Sequence, residues 1–366
     1  MSVKVYFTKI TGDYKANLFQ RIIKMCYMAG LKDKVKEKDL TAIKIHFGEL
    51  GNAAFIRPIY VREIISELKK LGAKPFITDA NTLYVGSRSN SVDHLETAIK
   101  NGFNYATTGA PVIIADGLRG KSEVKIDVNL KHFKSVFIGA DFMEADSIIS
   151  MAHFKLHELS GFGGAIKNMG MGAASRKGKL AQHSDISPKV SKRTCVGCGL
   201  CVKKCPAGAI EIIDKKAKIN PEKCIGCADC IIICPNEAIK IQWTETGPKF
   251  MEKMVEYTYG ILKEKKDKII YINFLTNISP ACDCYPFNDA PITHDIGVLV
   301  SDDIVAIDKA SVDLLNRAKV NEYSKIKDCK VEDKIKCVYP DIDWMVQLKY
   351  AEELGMGKMD YEIVEI

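Results

Sequence analysis

The chain has 366 residues, 47% hydrophobic and 27% charged, with a formal net charge of +7. That is enough for two or three domains with a sizeable core, in the composition range of a soluble globular protein. No apolar run reaches the length of a membrane span, and no basic stripe is interleaved with aromatics, so neither a membrane nor nucleic acid is an expected partner. Lysines mixed with acids, as at 32–38, read as solvated faces.

In chain order, residues 1–8 read as a first strand rather than a secretion signal. Cys26 sits in an apolar, helix-like stretch and reads as core. Residues 41–47 form a second strand, residues 58–71 show helical periodicity that stops at Gly72, and residues 74–79 return as a strand. Residues 111–116 and 147–152 continue in the same style. Strands alternating with helices predict an α/β host, a mostly parallel sheet with Rossmann-like layers covered on both faces.

Residues 151–172 gather ligand-like side chains. His153 and His157 stand four apart, and glycines at 161, 163, 164, 170 and 172 surround Lys167. Glycines let backbone approach a ligand, successive loop amides can form an anion nest, and Lys167 adds a point charge. Arg176 and His183 follow. One reading is a pocket in which His157 and His153 handle protons while Gly161, Gly163, Gly164, Lys167 and Arg176 hold a cofactor or substrate. The other is a glycine-rich connection with two hydrogen-bonded histidines.

Cys195, Cys198, Cys201 and Cys205 then appear as C-x2-C-x2-C-x3-C with Pro206 after them. Cys224, Cys227, Cys230 and Cys234 repeat the pattern with Pro235. This is the spacing of two [4Fe–4S] clusters in bacterial ferredoxins, where each fourth cysteine ligates the other cluster. One set is therefore Cys195, Cys198, Cys201 and Cys234. The other is Cys224, Cys227, Cys230 and Cys205. The repeat extends through Ile210-Glu211-Ile212 and Ile239-Lys240-Ile241. Zinc, the alternative for paired cysteines, needs neither the third cysteine nor the duplication. Lys192, Arg193, Lys203, Lys204 and Lys223 flank the motifs, either to dock an acidic redox partner or as ordinary surface lysines. Oxygen-sensitive clusters predict a cytoplasmic, anaerobic setting, and the cysteines left over argue against a disulfide framework.

Beyond this segment, residues 249–263 and 307–318 read as helices and 268–274 and 296–300 as strands. The expected organisation is thus a discontinuous host, residues 1–188 and 244–366, with a ferredoxin domain at 189–243; three consecutive domains are the alternative. Cys282-Asp283-Cys284, near Asp289, His294 and Asp295, either offers two thiolates to a further metal or packs in a turn set by Pro280 and Pro286. Cys329 and Cys337 are spare ligands. Asp302-Asp303 would line a crevice at the carboxyl end of a parallel strand, and Asp308 would cap the helix it begins.

Over nearly its full length the chain resembles the iron–sulfur centre family called domain of unknown function 362. The resemblance rests on His46-Phe47-Gly48-Glu49, Asp79-Ala80-Asn81-Thr82-Leu83-Tyr84, Gly86-Ser87-Arg88, the 153–172 run, the cysteine insertion and Cys282-Asp283-Cys284-Tyr285-Pro286. The run from His157 through Gly161-Phe162-Gly163-Gly164 to Lys167 is also similar to a segment of nickel-dependent lactate racemases. That similarity implies a proton-handling His157 and a cofactor-touching Lys167. The racemases carry a second catalytic histidine; the corresponding stretch here, Gly86-Ser87-Arg88-Ser89, has none. The sequence thus points to an oxidoreductase whose two [4Fe–4S] clusters connect a soluble electron donor or acceptor protein to a small-molecule pocket. A second cofactor (a flavin, nickel or a nucleotide) would belong in that pocket. The alternatives are a ferredoxin-like carrier and a non-redox, racemase-like enzyme.

Overall fold

The computed structural model describes residues 2–12, 14–184, 187–242 and 245–366. Strands β1 (Val3–Lys9), β2 (Leu40–Lys44), β3 (Lys74–Asp79), β4 (Val112–Ile114), β5 (Ser147–His153), β6 (Ile269–Leu275), β7 (Gly297–Ser301) and β8 (Tyr361–Glu365) join in one eight-stranded sheet. Its order is β8-β1-β7-β6-β5-β2-β3-β4, so strands from both sides of the cysteine-rich segment share it. Pairing is parallel along β6-β5-β2-β3-β4 and between β1 and β8; only β7 runs antiparallel to its neighbours β1 and β6. The mixed α/β architecture with a mostly parallel sheet is the expected one.

Alternation along each strand feeds two cores, because successive side chains leave opposite faces. Ile148 and Tyr271 face one core, while Ile149, Ile270 and Ile272 face the other. Helices α1 (Leu18–Met28) and α2 (Pro58–Lys70) cover one face. Helices α3 (Ala165–Gly170), α5 (Gly247–Lys265), α6 (Ile304–Arg317) and α7 (Met345–Glu353) cover the other; α4 (Arg176–His183) lies between α3 and the cysteine segment. The starts of these helices follow local chemistry. Asn17 and Gln20 form a reciprocal capping box on α1, Pro58 occupies the first turn of α2, and Asp303 accepts from Val305 and Ala306 at the start of α6. Cys26 is core, as read.

Three expectations are corrected here. Because β7 is antiparallel to β6, its carboxyl end lies on the edge opposite the ends of β6 and β5, so Asp302-Asp303 forms no crevice with them. Asp308 does not cap α6; it lies within it and serves α3 instead. Cys329 and Cys337 are joined by a disulfide across a surface loop. Among the described residues of the cysteine-rich segment, strands pair only with each other: Lys189–Val190 with Ile239–Lys240, and Ile210–Ile213 with Lys216–Ile219. The junction expected at 243/244 lies outside the described residues. Among the described residues no helix is long and apolar enough to cross a membrane.

Candidate functional site

Four parallel strands end on one edge of the sheet, and the chain after each runs into a single cavity of about 840 Å³. Lys44 ends β2 with His46 and Glu49 after it, Thr82 to Arg88 follow β3, Lys155 and His157 follow β5, and Cys282 to Pro286 follow β6, with Cys282 and Cys284 on the wall. This is the position where open α/β sheets bind ligands. Lys167 and Asn168 of α3, and Lys179 and His183 of α4, complete the wall.

The cavity carries more positive than negative charge. Lys44 pairs with Asp79 at 3.0 Å, Arg88 with Glu49 at 3.1 Å, and Lys155 with Asp283 at 3.1 Å. Among the described residues the ammonium of Lys179 hydrogen-bonds only the carbonyls of Ala174 and Gly172, at 2.6 and 3.4 Å. Burial lowers its pKa to about 8. Lys167 Nζ meets Cys282 Sγ at 3.8 Å. Burial opposes the charge on Lys167, but the thiols of Cys282 and Cys284 and nearby acids raise its pKa overall. Cys282 moves the other way, down to about 6, chiefly through its hydrogen bond with Cys284 and then through Lys167 and Lys155; Cys284 is pushed up.

His157 lies in a short hairpin, Lys155–His157 paired with Gly161–Gly163. Its Nδ1 accepts from the amides of Leu159 and Ser160 at 3.2 and 3.3 Å, which leaves the proton on Nε2. Burial, then Lys167, His183 and Lys155, drive its pKa well below the usual value. His157 is therefore a neutral hydrogen-bond donor rather than a ready base. His46 is held alike: its Nδ1 accepts from Gly48 at 3.0 Å, and burial and Arg88 lower its pKa.

Other residues expected here stand behind the wall. His153 does not face the cavity: Nδ1 binds both oxygens of Asp283 at 2.9 Å and Nε2 the carbonyl of Thr276 at 2.8 Å. It anchors the Cys282–Cys284 turn. Arg176 also points away, donating to the carbonyls of Thr82 and Ser89 and lying 4.0 Å from Asp229. The glycines serve packing more than an anion nest. A Cβ at Gly161 would overlap Trp344, and one at Gly163 would come 2.9 Å from Lys167. Gly164 lines the cavity, but the amides of Ala165 and Ile166 are taken by Asp308, at 2.7 and 2.9 Å. Asp289, His294 and Asp295 are exposed and do not join Cys282. Among the described residues no group of three or more His, Cys, Asp or Glu side chains closes on a point that one metal ion could occupy.

The eight cysteines of the middle segment surround two small cavities. Cys195, Cys198, Cys201 and Cys234 line one; Cys205, Cys224, Cys227 and Cys230 line the other. Backbone amides point at the sulfurs: Ala217 at Cys195 (3.3 Å), Ala209 at Cys205 and Ala238 at Cys234 (both 3.2 Å). Such donors favour anionic sulfur. Cys198, in the first set, is exposed. The second set lies toward the host. Gly226 abuts Leu180, Asp229 pairs with Lys121 and Arg176, and Leu83, a wall residue of the large cavity, belongs to the same apolar cluster as Cys195, Cys201 and Ile231.

Lys44, His46, Arg88, Lys155 and Lys179 were not singled out as site residues from sequence. One signal was present: Lys44 ends an otherwise apolar strand, and a buried lysine calls for a specific partner.

No curated protein matches the chain. Among solved structures it is similar to the lactate racemase apoprotein from Thermoanaerobacterium thermosaccharolyticum, at 13% identity and a TM-score of 0.38, over 74% of this chain and 50% of that one. The chain thus spans about half the length of that structure. The model of the family described as Domain of unknown function (DUF362) matches residues 41–313, about three quarters of the chain, and the protein belongs to that family.

Proposed function

We propose that the protein is an iron–sulfur oxidoreductase. Residues 189–243 form a two-cluster ferredoxin domain inserted into an α/β host of residues 1–188 and 244–366. Cys195, Cys198, Cys201 and Cys234 hold one [4Fe–4S] cluster, and Cys224, Cys227, Cys230 and Cys205 hold the other. The observation that carries this reading is the sorting of the eight cysteines around two cavities in the crossed pattern that the spacing demands. The donor chemistry fits, since backbone amides point at three of the sulfurs. Zinc, the alternative, needs neither the third cysteine of each motif nor the crossed pairing. Clusters so held supply one-electron transfer.

The remaining roles belong to the chain. The exposed Cys198 side meets a soluble protein donor or acceptor, and the Leu180–Asp229 side faces the host. The large cavity binds an anionic small molecule, substrate or second cofactor, because Lys167 and Lys179 enter it and, among the described residues, no carboxylate lies within salt-bridge distance of either. His157 donates a hydrogen bond from Nε2 to that ligand. His153 and Arg176 are positioning residues. The size and charge of this cavity favour an enzyme over a carrier whose host only docks a partner.

Anaerobic purification with iron, sulfide and zinc analysis and electron paramagnetic resonance tests the proposal. About eight iron atoms per chain and two interacting paramagnets on reduction are expected. Stoichiometric zinc, or iron near four after full reconstitution, overturns it. Organic extraction of the same preparation identifies any flavin or nucleotide in the cavity.

A further inference from the structure

The turn after β6 places two thiols on the cavity wall. Cys282 and Cys284, one residue apart, both line it and both are free thiols. The turn is pinned from three sides. The amide of Glu49 donates to the carbonyl of Asp283 at 3.1 Å, Tyr84 Oη to that of Cys284 at 3.1 Å, and the amide of Tyr285 to that of Cys282 at 3.1 Å. Asp283, between the thiols, has its carboxylate turned inward onto His153 and Lys155. The group best placed to complete a metal site is therefore engaged, and no third donor joins the two sulfurs among the described residues. What does approach is a cation, Lys167 Nζ, 3.8 Å from Cys282 Sγ. A lysine beside a thiol favours the nucleophilic thiolate. Cys282 is 3% exposed, so its chemistry is directed at what enters the cavity.

We infer that Cys282 and Cys284 form a redox-active dithiol that exchanges two electrons with a small anionic disulfide bound in the cavity. In the forward step the Cys282 thiolate attacks one sulfur of the bound disulfide and expels the other half as a thiolate; Cys284 then gives up its proton and attacks the mixed disulfide, so the Cys282–Cys284 S–S bond forms as the second half leaves as a thiol. In the return step two electrons and two protons cleave the S–S bond; an external dithiol or a pair of one-electron donors supplies them. A disulfide closed across one intervening residue is strained, and strained disulfides are the readily reduced, catalytic kind. The inference shares the cavity with the proposed function but not its evidence. The iron count reports on the clusters, whereas the redox state of the Cys282–Cys284 peptide reports on the dithiol.

The test is differential alkylation and peptide mapping of the intact, anaerobically purified protein, equilibrated in buffers of oxidised and reduced glutathione. The expected result is interconversion of Cys282 and Cys284 between two free thiols and one internal disulfide, reversed by dithiothreitol, with Cys26 unchanged. Cys284→Ser should instead trap glutathione on Cys282. Lys167→Met should slow iodoacetamide labelling of Cys282 about tenfold. Two findings overturn the inference. One is two thiols that stay reduced in fully oxidised glutathione while the small oxidant diamide, which reaches buried thiols, also fails to join them. The other is a stoichiometric non-iron metal lost in Cys282→Ser, which makes the pair a metal site. Retained iron content in each variant shows that the chain has folded.

Discussion

Replacing Asp308 by alanine tests the link between the core and the site. Its side chain is fully buried. One oxygen accepts from the amide of Ala165 at 2.7 Å and from Asn273 Nδ2 at 2.8 Å; the other accepts from the amide of Ile166 at 2.9 Å. Truncation leaves three buried donors without an acceptor at about 1–2 kcal/mol each, so the loss is about 3–6 kcal/mol. That is a large share of the total stability of an ordinary domain. The penalty also has a pH signature. Burial raises the Asp308 pKa to about 6, against the backbone amides of Ile166 and Ala165 and the Asn273 amide, which lower it. A carboxyl whose folded pKa is raised contributes stability that is fully present below the unfolded value and lost as pH rises through about 6. Wild type should therefore gain about 1 kcal/mol over the alanine variant between pH 7 and pH 5. Urea unfolding of both proteins at the two pH values measures this. A loss below about 1 kcal/mol, or a gap that narrows toward pH 5, would refute the assignment of Asp308 as the α3 cap.

Further outcomes follow from the same geometry. Cys234→Ser should damage the cluster shared with Cys195 and Cys205→Ser the one shared with Cys224, each lowering iron from about eight toward about four; identical residual spectra in the two variants would remove the crossed ligation. His94 is fully buried without a hydrogen-bond partner for either ring nitrogen among the described residues, and burial drives its pKa to about 3. A histidine depressed in this way loses stability as pH falls below its unfolded value, about 2 kcal/mol between pH 7 and pH 5. Asp308 and Asp116 act in the opposite sense, so the readout is the difference in urea-midpoint slope between wild type and His94→Gln; equal slopes would contradict it. Asp229→Ala removes the carboxylate that Lys121 and the buried Arg176 share, and amide exchange in residues 229–233 should quicken while β5 and β6 stay protected; unchanged exchange would show that these ion pairs do not hold the segment to the host.

Much of this protein was legible in its sequence because the information is local. The proposed cluster ligation rests on spacings of two and three residues, and helix starts at Asn17, Pro58 and Asp303 depend on groups within one turn. Strand alternation such as that of Ile148 and Ile149 shows in the period of the side chains. The cavity depends instead on which strands lie side by side. Lys44 and Cys282 are 238 positions apart, and nothing in either neighbourhood says that β2, β5 and β6 run parallel with their carboxyl ends together. The same long-range pairing decides that His153 turns onto Asp283 while His157 stays on the wall, that Asp308 takes loop amides read as a candidate anion nest, and that Cys282 meets Lys167. Sequence alone thus determined the α/β class and the cysteine pattern on which the proposed clusters rest. Only tertiary structure decided which polar groups satisfy one another and which are left facing the cavity, because a buried hydrogen bond or ion pair joins groups that the fold brings together wherever they stand in the chain.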